Sequence, residues 1–195
     1  MSVLAILPFV FLGALLYTSV GHGGATVYLA ILTLAGFAIA PLVTTVLVLN
    51  IVAAAIAFFM FSHAGHLRWR LLVPFVLASV PMSYVGGRLP LSGRAQSLVL
   101  GLSLFLAAVR FLFFQTPPRL SVPRTGLAFG LGAPLIGMLL GFLAGATGIG
   151  GGIFLSPLIL FLGWAETRVI SGVAAVFILC NSTAGLLGNL ATGGS

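Results

Sequence analysis

The sequence predicts an all-α, polytopic transmembrane helical bundle made of two repeats, each with a glycine-rich helix break. Three observations carry this. Of 195 residues, 61% are apolar and only 5% are charged, whereas a soluble domain carries about 25% charged residues. Eight arginines, one glutamate and no lysine cannot cover a surface that faces water, so the partner of most of this surface is the lipid bilayer. Apolar stretches of membrane-spanning length then recur along the chain. Finally, two dense glycine clusters stand between apolar stretches at matching places.

A crossing of the hydrocarbon needs about 20 apolar residues. The first such stretch is 3–20, which has no basic segment before it and no small-residue cleavage site after it. It is therefore read as a retained helix, not a signal peptide. "GHGG" (21–24) follows, and then a short apolar stretch, 26–39. The next spans are 42–61, 71–87 and 95–114. They are separated by "GHLRWR" (65–70), whose Trp69 reads as a membrane-surface anchor, and by "GGRLPLSGR" (86–94). "QTPPRLSVPR" (115–124) is the longest polar stretch and marks the midpoint. Beyond it lie the span 126–144, the cluster "GIGGG" (148–152), a short stretch 152–165, and a last, more polar span, 169–190.

An internal repeat agrees with that midpoint. Sliding the chain by 127 positions places Gly21, Gly23, Gly24 and Gly36 on Gly148, Gly150, Gly151 and Gly163, and Val46 and Ala57 on Val173 and Ala184. The chain is read as one permease domain, 1–195, with repeat 1 over about 1–115, a linker at 116–125, and repeat 2 over about 126–195. Repeat 2 stops two helices short of repeat 1. The expectation is a longer natural chain, a chain that is short by nature, or a homo-oligomer or partner that supplies the missing helices.

The net charge of +7 does not point to nucleic acid, because the arginines are scattered over loops and form no basic face. They carry topology instead. Arg68, Arg70, Arg119, Arg124 and Arg168 fall on one side, and Arg88 and Arg94 on the other. The majority side is cytoplasmic by the positive-inside rule, and residue 1 is outside. An odd number of crossings in repeat 1 makes repeat 2 inverted. The single cysteine, Cys180, excludes an internal disulfide and a Cys/His metal site. It is read as a packing residue.

The glycine clusters carry the chemistry. Non-helical backbone at membrane depth is tolerated only where protein or a water-filled cavity covers it. Where a helix restarts after such a break, its first N–H groups are unpaired and partially positive, and glycine lets a ligand approach them closely. That is a site for a small anion, and paired breaks in two repeats mark the binding region of many transporters. The candidate binding residues are Gly21, His22, Gly23 and Gly24 in the first cluster, and Thr147, Gly148, Gly150, Gly151 and Gly152 in the second. Asn50 and Asn181 join them, each on the helix after the short stretch of its repeat. Glycines that merely let helices pack closely are the competing reading. No Asp or Glu lies in an apolar segment, which disfavours a carboxylate relay and a cationic substrate. No catalytic constellation appears, so an enzyme is not expected, and no cofactor or metal is called for.

"GIGGGIFLSPLILFLGW" with the following "ETRVISGVAAVFILCNSTAGLLGNL", the weaker first copy "GHGGATVYLAILTLAGFA", and "GHLRWRLLVPFVLASVPMSYVGGRL" together resemble the TauE/SafE sulfite exporter family, also called the toluene sulfonate uptake permeases. The resemblance covers essentially the whole chain. It implies a multi-pass permease of the bacterial inner membrane that moves small sulfur-containing anions such as sulfite or organosulfonates. In this chain the first motif reads GHGGA where a third glycine is more usual. Backbone N–H groups of the two clusters would hold the anion near the midplane, with one repeat rocking against the other. The rivals are an anion channel and a non-transporting membrane subunit that scaffolds a larger complex.

Overall fold

A computed structural model describes residues 3–37, 42–89 and 127–193, together with isolated helical positions between 94 and 105. Among the described residues there are seven helices: α1 (Val3–Ser19), α2 (Ala25–Leu34), α3 (Val43–His63), α4 (Trp69–Arg88), α5 (Leu127–Thr147), α6 (Gly152–Leu162) and α7 (Thr167–Leu190). Four of them, α3, α4, α5 and α7, are long and apolar enough to cross a membrane, while α1, α2 and α6 are shorter. The sequence-predicted span 95–114 and the "QTPPRLSVPR" loop lie mostly or wholly outside the described residues.

These helices are apolar all round, which is the pattern of a helix in lipid. In α3 the buried positions Val43, Val46, Leu47, Asn50, Ala53, Ala54 and Ala57 recur every three or four residues and form one face. The opposite face turns Val48, Leu49, Val52, Ile56 and Phe59 outward. Helix α7 is different: 78% of its apolar window is buried, against 39% for each of α3, α4 and α5. It is the central helix, and its extra polar content is tolerable because neighbours cover it on most sides.

Two kinds of contact hold the others to it. Small residues bring backbones together. A methyl group on Gly137, Gly141 or Gly145 of α5 would run into the carbonyls of Phe75, Ser79 and Ser83 of α4. One on Gly87 would meet the Gly185 carbonyl of α7, and one on Gly188 the Tyr84 carbonyl of α4. The α4–α5 pairs advance together, as do the α4–α7 contacts of Ser79 with Asn181 and of Ser83 with Gly185, so α4 runs parallel to both α5 and α7. Hydrogen bonds tie α3 to α7: Thr44 Oγ1 donates to Asn189 Oδ1 at 2.9 Å, and Asn50 Nδ2 to Ser182 Oγ at 2.9 Å. Gly172 lies against His66 and Phe61. These contacts run in opposite senses along the two helices, so α3 and α7 are antiparallel.

An aromatic cluster closes one end. Phe129 packs edge-on against Phe75 at 6.5 Å and against Trp164 at 5.2 Å. Trp164 directly follows the left-handed Gly163 that ends α6.

The prediction of two short helices, each entered through glycine, agrees with the structure, but the boundaries move. Gly145, Ala146 and Thr147 belong to the last turn of α5, and the break starts at Gly148. Small side chains at 145 and 146 serve packing there, so the helix has no reason to stop before them. Helix α2 ends at Leu34, short of the expected 39.

Candidate functional site

Both glycine clusters are true breaks. Gly21, Gly23, Gly148, Gly150 and Gly151 all have φ between 67° and 82°, a region that side-chain-bearing residues seldom enter. The backbone bonds around them match at the 127-residue offset. Gly21 N–H donates to Thr18 O and His22 N–H to Tyr17 O. Gly148 N–H donates to Gly145 O and Ile149 N–H to Ala144 O. After the breaks, Tyr28 N–H bonds Gly24 O as Leu155 N–H bonds Gly151 O. The short helices end alike as well: Gly36 N–H donates to Thr33 O, and Gly163 N–H to Leu160 O.

The two breaks meet at Asn50, a fully buried residue of α3. Its Oδ1 accepts from Gly24 N–H at 2.8 Å and Ala25 N–H at 3.1 Å. Its Nδ2 donates to Ile149 O at 3.2 Å and Ser182 Oγ at 2.9 Å. One carboxamide therefore caps the N-terminus of α2, holds the carbonyl inside the second break, and reaches α7. A Cβ on Gly23 would collide with Asn50 Oδ1, and one on Gly150 with Asn50 Nδ2 and Ser182 Oγ. The absent side chains at Gly23 and Gly150 make room for this amide.

The second break is built differently. The position matching Asn50 at the offset of 127 is Phe177, whose ring carbon Cε1 would lie 2.9 Å from a Cβ on Gly151. A phenyl ring cannot cap. Among the described residues, the N–H groups of Gly152 and Ile153 at the start of α6 have no hydrogen-bond partner, and no side chain caps that helix. One turn on, Ser156 is buried and its Oγ has no partner either. Other hydroxyls in these helices fold back on the carbonyl four residues earlier, as Thr147 does on Leu143 at 2.6 Å and Thr183 on Leu179 at 2.8 Å.

The remaining predicted residues divide. His22 lies in the first break, with its Nδ1 2.9 Å from the Val20 carbonyl. Its own carbonyl approaches the start of α6, 3.9 Å from a Cβ position on Gly152. A Cβ on Gly21 would meet the Ser171 carbonyl, and one on Gly24 the Tyr28 ring. Gly148 faces Val43, and Thr147 is bonded within α5. Asn181 is not brought to the breaks. Its Nδ2 donates to Ser79 Oγ at 3.0 Å and to Phe177 O at 2.8 Å, so it faces α4, and its buried Oδ1 is unpaired. Ser182, one residue on, occupies the place expected of Asn181. The ungapped offset already carries this signal, because it assigns Phe177 and not Asn181 as the counterpart of Asn50. No signal in the sequence singles out Ser156.

Comparison with known proteins agrees with this architecture. The family model "Sulfite exporter TauE/SafE" matches residues 6–195. The chain is 38% identical over 186 residues to a protein of Sinorhizobium fredii named "Probable membrane transporter protein y4hK", covering 93% of this chain and 74% of that one. It is 30% identical over 105 residues to a "Probable membrane transporter protein" of Xylella fastidiosa, covering 51% of this chain and 40% of the relative. No solved structure matches it. A match over nearly the whole chain, on apolar helices broken at paired glycines, makes this protein a member of the sulfite exporter TauE/SafE family, a family of membrane transporters.

Proposed function

We propose that this protein is a multi-pass permease of the bacterial inner membrane that moves a small sulfur oxyanion or organosulfonate, and that the anion binds at the start of α6. One observation carries the reading: among the described residues the N–H groups of Gly152 and Ile153 are unpaired where the two breaks converge, while at the corresponding end of α2 Asn50 caps Gly24 and Ala25. A helix N-terminus with free N–H groups attracts an anion, and burial strengthens the attraction. The described spans contain no carboxylate that would repel it. The first break acts as the support. Asn50 holds it closed and fixes the second break beside it.

The antiparallel course of α3 and α7 supports an inverted relation between the repeats, and with it an alternating-access carrier. The test is a flux screen of the purified protein in proteoliposomes over sulfite, sulfate, thiosulfate and short alkanesulfonates. Saturable uptake with counterflow of at least one is expected. Absence of flux for all of them, with the protein correctly inserted, overturns the substrate class. Flux without saturation or counterflow overturns the carrier and leaves a channel.

A further inference from the structure

Ile178 is fully buried on the face of α7 that meets both breaks. Its Cγ2 lies 3.3 Å from the Cβ position of Gly23 and 3.0 Å from that of Gly150. Its Cγ1 and Cδ1 stand over Gly152. A single branched side chain thus fills space left free by three glycines drawn from both clusters. Asn50 and Ser182, which share that space, are bonded to each other, and Asn50 also to the backbone of both breaks. Ile178 is held there by dispersion contacts alone, each of them small. Its Cδ1 can move without breaking a hydrogen bond, while Cγ2 stays against Gly23 and Gly150. Its χ1 is stiff in a helix, so the movement falls on χ2, which carries Cδ1 off Gly152.

We propose that Ile178 is the gate of the path between the breaks: its side chain closes the junction over the N-terminus of α6, and its size sets which anions pass. This rests on the reading that an anion moves through that junction. The two claims have separate readouts.

The experiment uses the full chain with Cys180→Ala as background. Ser182→Cys reports on the junction, and Ala133→Cys, buried in α5 away from it, reports on general loosening. The probe is 2-sulfonatoethyl methanethiosulfonate, an anionic thiol reagent. Ile178→Ala is expected to speed modification at position 182 by tenfold or more, and Ile178→Phe to slow it, with no change at position 133. An unchanged rate at 182, or an equal rise at 133, overturns the gate. Flux of sulfite and of the bulkier benzenesulfonate is measured on the same variants, and Ile178→Ala is expected to raise the benzenesulfonate-to-sulfite ratio at least fivefold. Faster modification with no oxyanion flux in any variant keeps the gate and removes the oxyanion reading. Oxyanion flux with unchanged modification and an unchanged ratio does the reverse.

Discussion

Asn50 does at one position what a soluble protein would spread over several. Its carboxamide pairs two N–H groups, one carbonyl and one hydroxyl, in surroundings where water is not at hand to replace it. Leaving a buried donor or acceptor unpaired costs about 1–3 kcal/mol. Asn50→Ala is expected to destabilise the protein by on the order of 3 kcal/mol or more, read as a lower melting temperature in detergent, and to reduce anion flux as the two breaks lose their common anchor. A melting temperature equal to wild type would show that the amide is not what joins them. A second comparison separates strain from crowding. Gly150 and Gly36 both have positive φ, 78° and 89°, so alanine costs each about 1–2 kcal/mol in backbone conformation. At Gly150 the new Cβ would also strike Asn50 and Ser182, whereas nothing lies within 4 Å of the Cβ position of Gly36. Gly150→Ala is therefore expected to melt lower than Gly36→Ala and to lose flux, while Gly36→Ala keeps it. Equal effects on melting and flux would mean that backbone strain is the whole cost.

At the scale of elements, the glycines of this chain have two separate jobs, which resolves the competition between break and packing readings. Those at 148, 150 and 151 set positive φ. Those spaced by four at 137, 141 and 145 bring α5 onto α4. Gly141→Val is expected to force the two helices apart and cost about 1–3 kcal/mol or more, as overpacking does. Gly130 lies on the same helix with nothing within 4 Å of its Cβ position. Gly130→Ala is expected to leave the melting temperature unchanged or raised, because alanine favours the helix by up to about 1 kcal/mol. Thermal unfolding of both variants in one detergent checks the contrast, and a Gly141→Val protein as stable as Gly130→Ala would remove the close packing. The tight contacts join α4 of the first half to α5 and α7 of the second. Rocking one repeat as a block against the other would have to pull those backbones apart. The short helices, each ended by a left-handed glycine, carry no such constraint.

For the molecule as a whole, the arginines can be placed in space. Gly172 sits against His66, so Arg68 and Arg70 at the start of α4 and Arg168 at the start of α7 share one end. Arg88, beside Gly188, lies at the other. The positive-inside rule then predicts that the first end is cytoplasmic. A single cysteine at Arg168 is expected to resist an impermeant thiol reagent on intact cells, and one at Arg88 to react, both in a Cys180→Ala background. The opposite pattern would invert the protein in the membrane.

Composition and hydropathy alone determined that this chain lives in lipid, because no folding can hide 61% apolar residues with eight arginines and one glutamate. Spacing alone located the repeat and both breaks, because positive φ demands glycine and leaves a mark in the sequence. Tertiary structure decided which polar residues serve the breaks. Asn50 and Asn181 look alike as buried asparagines on corresponding helices, yet one reaches both breaks and the other faces Ser79. The difference is a rotation about the axis of α7, fixed by how its glycines seat against α4 and α5. That rotation turns Ile178 and Ser182 toward the breaks. It depends on contacts between residues a hundred positions apart; the repeat offset shows only that Phe177, not Asn181, is the counterpart of Asn50, and no local pattern records the rotation.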